Sequence, residues 1–282
     1  VLTAVLDVLL PRPCVGCGAA GAPLCDACLA PLVAPAARTP SPRPAGLPVC
    51  WSATWYEGPL RRAVIAYKER AQTGLAVPLA ALLAFTVASA LTAGRPIEGP
   101  FAAGRPIEGP FAVVPVPSAR RALRSRGHDP MGRLAELAVH ALTRLGRPAV
   151  LWRALTPARR VADQAGLDAA ERAANLAGSL RVTGRAANQA SSLRVAANVA
   201  GSLRGAGREE GPKAAAAAPA PLTLHGHGTD NFRTPAKPGI PVVLVDDLVT
   251  TGATLAEAAR ALREQGSDVV CAATVAATRR RS

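Results

Sequence analysis

Aromatic residues make up only 3% of this 282-residue chain. Its core must therefore come from the Ala, Val and Leu that supply most of its 49% hydrophobic content. Single-strand nucleic-acid surfaces of the stacking type interleave aromatics with positive charge, and that scarcity argues against one. Lysine is also nearly missing. Of the 33 Lys and Arg residues only Lys68, Lys213 and Lys237 are lysine, and the excess of Arg and Ala has the look of a GC-rich coding bias. The net charge of +14 thus suits polyanions in general without singling out nucleic acid. A secretory signal is not evident either: Val1 to Leu10 carries Asp7 and has no basic flank, which predicts a reducing, cytoplasmic setting. Charge disappears altogether from Leu75 to Ala93, a stretch nearly long enough to span a bilayer. It is mostly Ala and Leu, interrupted by Pro78, Thr86, Ser89 and Thr92, and Ala adds little insertion energy. The expectation is a buried helix with Leu75, Leu79, Leu82 and Leu83 as its core stripe, and no membrane insertion.

What is present is most informative between Val242 and Thr254. Val242-Val-Leu-Val245 has the composition of a strand buried on both faces of a parallel sheet. Asp246 and Asp247 follow, then the turn Thr250-Thr-Gly-Ala-Thr254. Leu255, Ala258, Ala259 and Leu262 then recur at helical spacing up to Gly266. Strand, acidic pair, hydroxyl-rich turn and helix start make a site for a phosphorylated sugar. Turn N–H groups, hydroxyls and the positive end of the helix face a phosphate. The carboxylates stand where ribose hydroxyls need acceptors.

Four of the six cysteines form two pairs, Cys14-Val-Gly-Cys17 and Cys25-Asp-Ala-Cys28, with seven residues between them. Each pair can grip one side of a Zn²⁺ and the two together complete a tetrahedron; Gly16 and Gly18 supply turn freedom. A disulfide staple needs an oxidising compartment, and a redox motif needs no second copy, so a structural zinc site is favoured over both. Cys50 and Cys271 read as inert thiols packed as small hydrophobes.

A perfect tandem duplication, Ala93 to Ala102 and again Ala103 to Ala112, is too short for a solenoid. One copy is expected to loop out at little cost. A second strand is predicted at Val113 to Pro117, followed by an arginine-rich turn. Asp129 and Pro130 read as N-cap and first residue of a helix running to about Leu145. Leu134, Leu137, Ala138, Ala141, Leu142 and Leu145 share one of its faces, and Gly146 stops it.

The run from Val242 to Thr254 resembles, without a gap, the 5-phosphoribosyl-1-pyrophosphate (PRPP) motif of type I phosphoribosyltransferases. Val113-Pro117, Arg124-Ser-Arg-Gly-His-Asp129, the Gln164…Glu171-Arg172…Asn175 pattern, Tyr56-Glu-Gly-Pro-Leu-Arg-Arg62, Tyr67-Lys68 and the cysteine pairs are similar to the ComF family. The resemblance covers about Cys14 to Asn175 and Ile240 to Thr278. It departs at Ser118-Ala119, where the family usually has His-Pro, and at His128, where an aromatic is usual.

The resemblance implies an α/β fold: a mainly parallel sheet with flanking helices, plus a small four-cysteine zinc knuckle at the N-terminus. Residues 1–48 are expected to form knuckle and linker, and 49–282 the phosphoribosyltransferase-like domain. Imperfect repeats and an Ala/Pro run give a low-complexity insertion at about 183–237. His225 and His227 within it read as a solvated loop. The implied roles are concrete. Thr250, Thr251, Gly252, Ala253 and Thr254 cradle the 5-phosphate. Asp246 and Asp247 hold the ribose hydroxyls, directly or through Mg²⁺, and stabilise positive character on the ring. Mg²⁺ neutralises pyrophosphate, and Arg124 and Arg126 are candidate pyrophosphate clamps. Cys14, Cys17, Cys25 and Cys28 hold Zn²⁺. The acceptor has no recognisable signature. Three classes stay open: a pentosyl-transfer enzyme, a non-catalytic PRPP-binding regulator, or an accessory of competence and DNA uptake that meets single-stranded DNA or the competence machinery.

Overall fold

A computed structural model describes residues 13–93, 107, 109–118, 129–159, 161, 169–183 and 240–279. The tandem duplication falls mostly outside these residues. So do Arg124, Arg126 and nearly all of the expected insertion.

The chain begins with the cysteine-bearing loops and a short helix α1 (Asp26–Leu29). An edge strand β1 (Ala36–Ala37) and then β2 (Cys50–Trp55) follow. Helices α2 (Gly58–Glu69) and α3 (Ala76–Thr92) lead to β3 (Phe111–Pro115). Next come α4 (Pro130–Arg144), β4 (Ala149–Leu151) and β5 (Leu155–Pro157). The last elements are α5 (Ala169–Leu176), β6 (Leu180–Val182), β7 (Val242–Val249), α6 (Ala253–Glu264) and β8 (Val269–Ala277).

Six strands form one sheet in the order β1-β2-β8-β7-β3-β4. Every pairing in it is parallel except β1 with β2. Strands β5 and β6 pair antiparallel as a separate hairpin. The mainly parallel sheet with helices on both faces is the architecture expected from the sequence. The reason lies in β7 and its neighbours. Side chains alternate along a strand, so Val243 and Val245 enter one core and Val242 and Leu244 the other. In β3, Val113 and Val114 divide the same way. Helices α2, α3 and α4 cover the first face, and α6 with the β5–β6 hairpin covers the second.

The uncharged stretch is α3 preceded by a single 3₁₀ turn, Thr73–Leu75. Thr73–Thr92 is long and apolar enough to cross a membrane by length and composition, yet Leu75, Leu79, Leu82 and Leu83 are all buried in the first core. Pro78 lies in the first turn, where its missing N–H has no helical partner to lose. In α4, Asp129 is the N-cap, its side chain accepting the N–H of Gly132, and Pro130 is the first helical residue, as read from sequence. Leu134, Ala138 and Leu142 are buried, but Leu145 is 65% exposed. The helix has already ended at Arg144, so Leu145 leaves the apolar face on which its spacing had placed it. Cys50 and Cys271 are buried in the two cores, and burial pushes both thiols up to about 12.

Candidate functional site

Strand β7 runs on past the acidic pair to Val249, so Asp246 and Asp247 are strand residues and not its frayed end. Asp247 is in phase with Val243 and Val245 and therefore points toward α2. There Lys68 Nζ donates to its Oδ2 at 2.7 Å. The Asp247 N–H turns back to Asp246 Oδ1 at 2.9 Å. Two carboxylates and one lysine leave an excess negative charge. Burial, and then the neighbouring Asp247, raise the Asp246 carboxyl well above the usual range. Such a pair gains from any group that brings positive charge or hydrogen-bond donors.

The pair opens into a cleft of about 260 Å³ whose walls include Tyr67, Lys68, Pro117, Ser118, Met131 and Thr254. It lies at the C-terminal ends of β7 and β3, where open α/β sheets place ligands. Tyr67 is pinned there: its hydroxyl donates to the Pro130 carbonyl at 2.9 Å, and burial pushes its pKa up to about 12.

Lys68 is a site residue that the motifs alone do not single out, although it lies in a stretch that carries the resemblance. It is the one lysine among the described residues. In a chain whose basic residues are nearly all arginine, a lysine in that stretch is the available signal. Arg124 and Arg126 lie outside the described residues, so the structure adds nothing to their expected role.

The turn after β7 is built on Gly252, at φ +78° and acting as the N-cap position of α6. That left-handed conformation suits glycine. A Cβ at Gly252 would also stand 2.7 Å from Leu47 Cδ2. Thr251 Oγ1 accepts the Ala253 N–H at 3.4 Å, which orients its hydroxyl at the helix start. Thr250 and Thr251 line a second cleft of about 430 Å³, on the side of β8 and β2. The segment expected to be a linker forms its outer wall, through Arg38, Thr39, Pro40 and Pro42. Thus the predicted turn residues are together at one helix N-terminus, but Thr250 and Thr251 line the second cleft and Thr254 that of the acidic pair.

The four cysteines also converge. Their Sγ atoms all lie within 4.8 Å of one another, and Cys17 and Cys25 Sγ are 3.5 Å apart. Tetrahedral Zn–S bonds of about 2.3 Å require sulfurs roughly 3.8 Å apart, so the set fits a zinc ion. The N–H groups of Gly16 and Cys25 each point at Cys14 Sγ from 3.3 Å. Burial opposes ionisation of Cys14, but backbone donors from Cys25, Cys17 and Gly16 hold its thiol down at about 6. Cys28 is driven the other way, to about 12, by burial and by the neighbouring thiols. Four thiols this close need a cation to ionise together. Gly16 permits the closure, because a Cβ there would sit 2.5 Å from Cys28 Sγ. The knuckle is tied down by Arg62 of α2, which donates to the carbonyls of Val15 and Gly16 at 2.8 and 2.7 Å.

Residues 176–282 match the family model of the phosphoribosyl transferase domain. The match spans β6 to β8 and so includes the acidic pair and the turn. No curated protein matches the chain. The parallel sheet and the position of the cleft fit a type I phosphoribosyltransferase-like fold, and the match places a phosphoribosyl transferase domain over its C-terminal part.

Proposed function

We propose that this chain, carrying a phosphoribosyl transferase domain, binds PRPP with Mg²⁺ and transfers its phosphoribosyl group to an acceptor. The observation that carries the reading is the pair Asp246 and Asp247, held in the C-terminal half of β7 at a cleft, shortly before the Thr250–Thr254 turn. The cleft floor offers acceptors to the 2- and 3-hydroxyls, and the turn offers N–H and hydroxyl donors to the 5-phosphate. As the bond to pyrophosphate lengthens, positive character grows on the ring, and the two carboxylates are placed to stabilise it. Asp246 and Asp247 are the described residues that would face a Mg²⁺ bound with the donor, and such an ion would supply neutralising charge for the leaving pyrophosphate. Lys68 pairs with Asp247 in the free chain. There its ammonium offsets part of the acidic pair's charge and would be within the same cleft as a bound pyrophosphate. Arg124 and Arg126 remain proposed partners of the same group.

The finer identity proposed is a ComF-like protein with a structural Zn²⁺ on Cys14, Cys17, Cys25 and Cys28. The clustered thiols and the motifs from Tyr56 to Asn175 support it. The proposal includes a boundary near residue 48 and a cytoplasmic location, since thiol sites of this kind persist in reducing compartments. The resemblance to ComF proteins extends it to an accessory role in DNA uptake. Salt-sensitive single-strand binding that survives loss of the acidic pair would separate that role from pentosyl transfer.

Calorimetric titration with PRPP and Mg²⁺ tests the central reading. The unchanged chain should bind. Asp246→Asn with Asp247→Asn should weaken binding by roughly tenfold or more per site, the usual cost of a lost charged hydrogen-bond partner. Thr251→Val should weaken it through the phosphate. No heat at millimolar PRPP and Mg²⁺ would sink both the enzyme and the sensor. Pyrophosphate release across a panel of nucleobases would then tell transfer from binding alone.

A further inference from the structure

Helix α3 packs on the sheet with one face and presents a second apolar face to solvent. Leu79, Leu83, Val87 and Leu91 are buried in the first core. Val77, Ala81 and Phe85 are exposed, and Ala88 is half-buried. Steps of four, four and three residues keep these side chains on one side of a helix with 3.6 residues per turn. Among the described residues four large hydrophobic side chains are exposed, and two of them, Val77 at 65% and Phe85 at 44%, lie on this face. The helix has no charged residue anywhere along its length. Single apolar side chains scattered on a surface need no explanation, but a continuous uncharged strip marks a contact.

The chemistry of the strip narrows its partner. A helix that lies on a bilayer flanks its apolar face with Lys or Arg for the headgroups, and α3 carries neither. A second copy of the chain fits. Two chains of net charge +14 repel wherever arginine-bearing surfaces meet, and this strip lets them touch with no charge on either helix. The strip is also self-complementary. In a twofold dimer the same patch meets itself, and with the axis normal to the helices the two run antiparallel. Ala81 is the smallest of the three exposed side chains, and a crossing there lets the helix axes come close. Val77 and Phe85 lie four residues to either side of it. Each copy then sets its Val77 beside the other's Phe85.

We propose that the outer face of α3 is a homodimer contact, an antiparallel α3–α3 pair crossing at Ala81. The strip from Val77 to Ala88 is about 16 Å long. That is the small end of specific interfaces, where weak contacts bury under about 1,200 Å² in total. The dimer is accordingly reversible and concentration-dependent. It is independent of the donor-binding reading, because no residue of the strip lines the cleft of the acidic pair.

Sedimentation equilibrium of the full chain, from micromolar to sub-millimolar concentration, measures the association. The chain should pass from monomer toward dimer over that range. Added salt should tighten the dimer by screening the repulsion between two basic chains. Val77→Glu or Phe85→Lys alone should weaken association by about tenfold or more, because each puts an unpaired charge into an apolar contact. Both side chains are exposed in the single chain, so both variants should fold, as circular dichroism would verify. Val77→Glu combined with Phe85→Lys should recover association, since each new carboxylate then meets the other copy's new ammonium. Within one chain the two positions are too far apart along the helix to restore each other. A chain that stays monomeric throughout overturns the proposal, and lower melting of its single variants would show the strip covered from within the chain. A dimer untouched by the single variants, one loosened by salt, or a double variant no better than the singles overturns it equally. Titration of Phe85→Lys with PRPP and Mg²⁺ reads the donor site separately and should match the unchanged chain.

Discussion

At the scale of single residues, the site is held by close approaches. Gly252 is required twice over, by its φ of +78° and by the Leu47 methyl 2.7 Å from where a Cβ would lie. Gly252→Ala should therefore lose about 1–2 kcal/mol of stability from the left-handed backbone alone, plus a contribution from Leu47. Adding Leu47→Ala should remove the clash but leave the backbone cost. Thermal melts of the two variants would check this; a double variant as stable as Leu47→Ala alone would show that the backbone carries no strain. Lys68 makes the complementary point. Its bond to Asp247 crosses from α2 to β7, and no local pattern in sequence pairs residues so far apart.

At the scale of elements, one carboxylate adds a polar tie to the packing of Leu155 and Leu180 that seats the β5–β6 hairpin on the second core. Glu257 of α6 is 5% exposed, bonds Arg260 at 2.7 Å and accepts the Leu180 N–H at 3.1 Å. Burial pushes its pKa up, but Arg260 and the Leu180 N–H outweigh that and hold it below the ordinary value. A carboxyl depressed in the folded state contributes stability above its unfolded pKa and loses it as pH falls through the folded one. Glu257→Gln should accordingly cost about 1.5 kcal/mol at neutral pH, and the difference from the unchanged chain should shrink in acid. Denaturant melts at neutral and acidic pH read it. A cost that stays constant with pH would mean the charge of Glu257 is not what holds the hairpin.

At the scale of the whole molecule, the knuckle and the sheet share a core. Cys14, Leu24 and Leu32 are buried in the cluster that contains Leu60, Leu75 and Val243, and β1 completes the edge of the sheet. Purified without chelator, the protein should carry one Zn²⁺ per chain by metal analysis. Structural zinc contributes on the order of 10 kcal/mol to folding in small sites. Removing it, or changing any of Cys14, Cys17, Cys25 and Cys28 to Ser, should thus lower the melting midpoint of the entire domain. Zinc-free protein with an unchanged midpoint would show that the thiols act without metal.

Whatever depends on neighbours along the chain was legible before any folding. The buried strand Val242–Val245, the caps at Asp129 and Gly146, the turn at Gly252 and the paired cysteines are all local signals of period, φ or spacing. The parallel class of the sheet followed, because an uninterrupted apolar strand must be covered on both faces. Packing settled everything that rests on which elements become neighbours. It paired β2 with β8 and β7 with β3, brought Lys68 to Asp247, and laid residues 38–47 against the turn. It also gave Thr250 and Thr251 a cleft separate from that of Asp246 and Asp247. The physical reason is range: backbone preferences act over a few residues, whereas charge pairing and steric exclusion act between any residues that packing brings together.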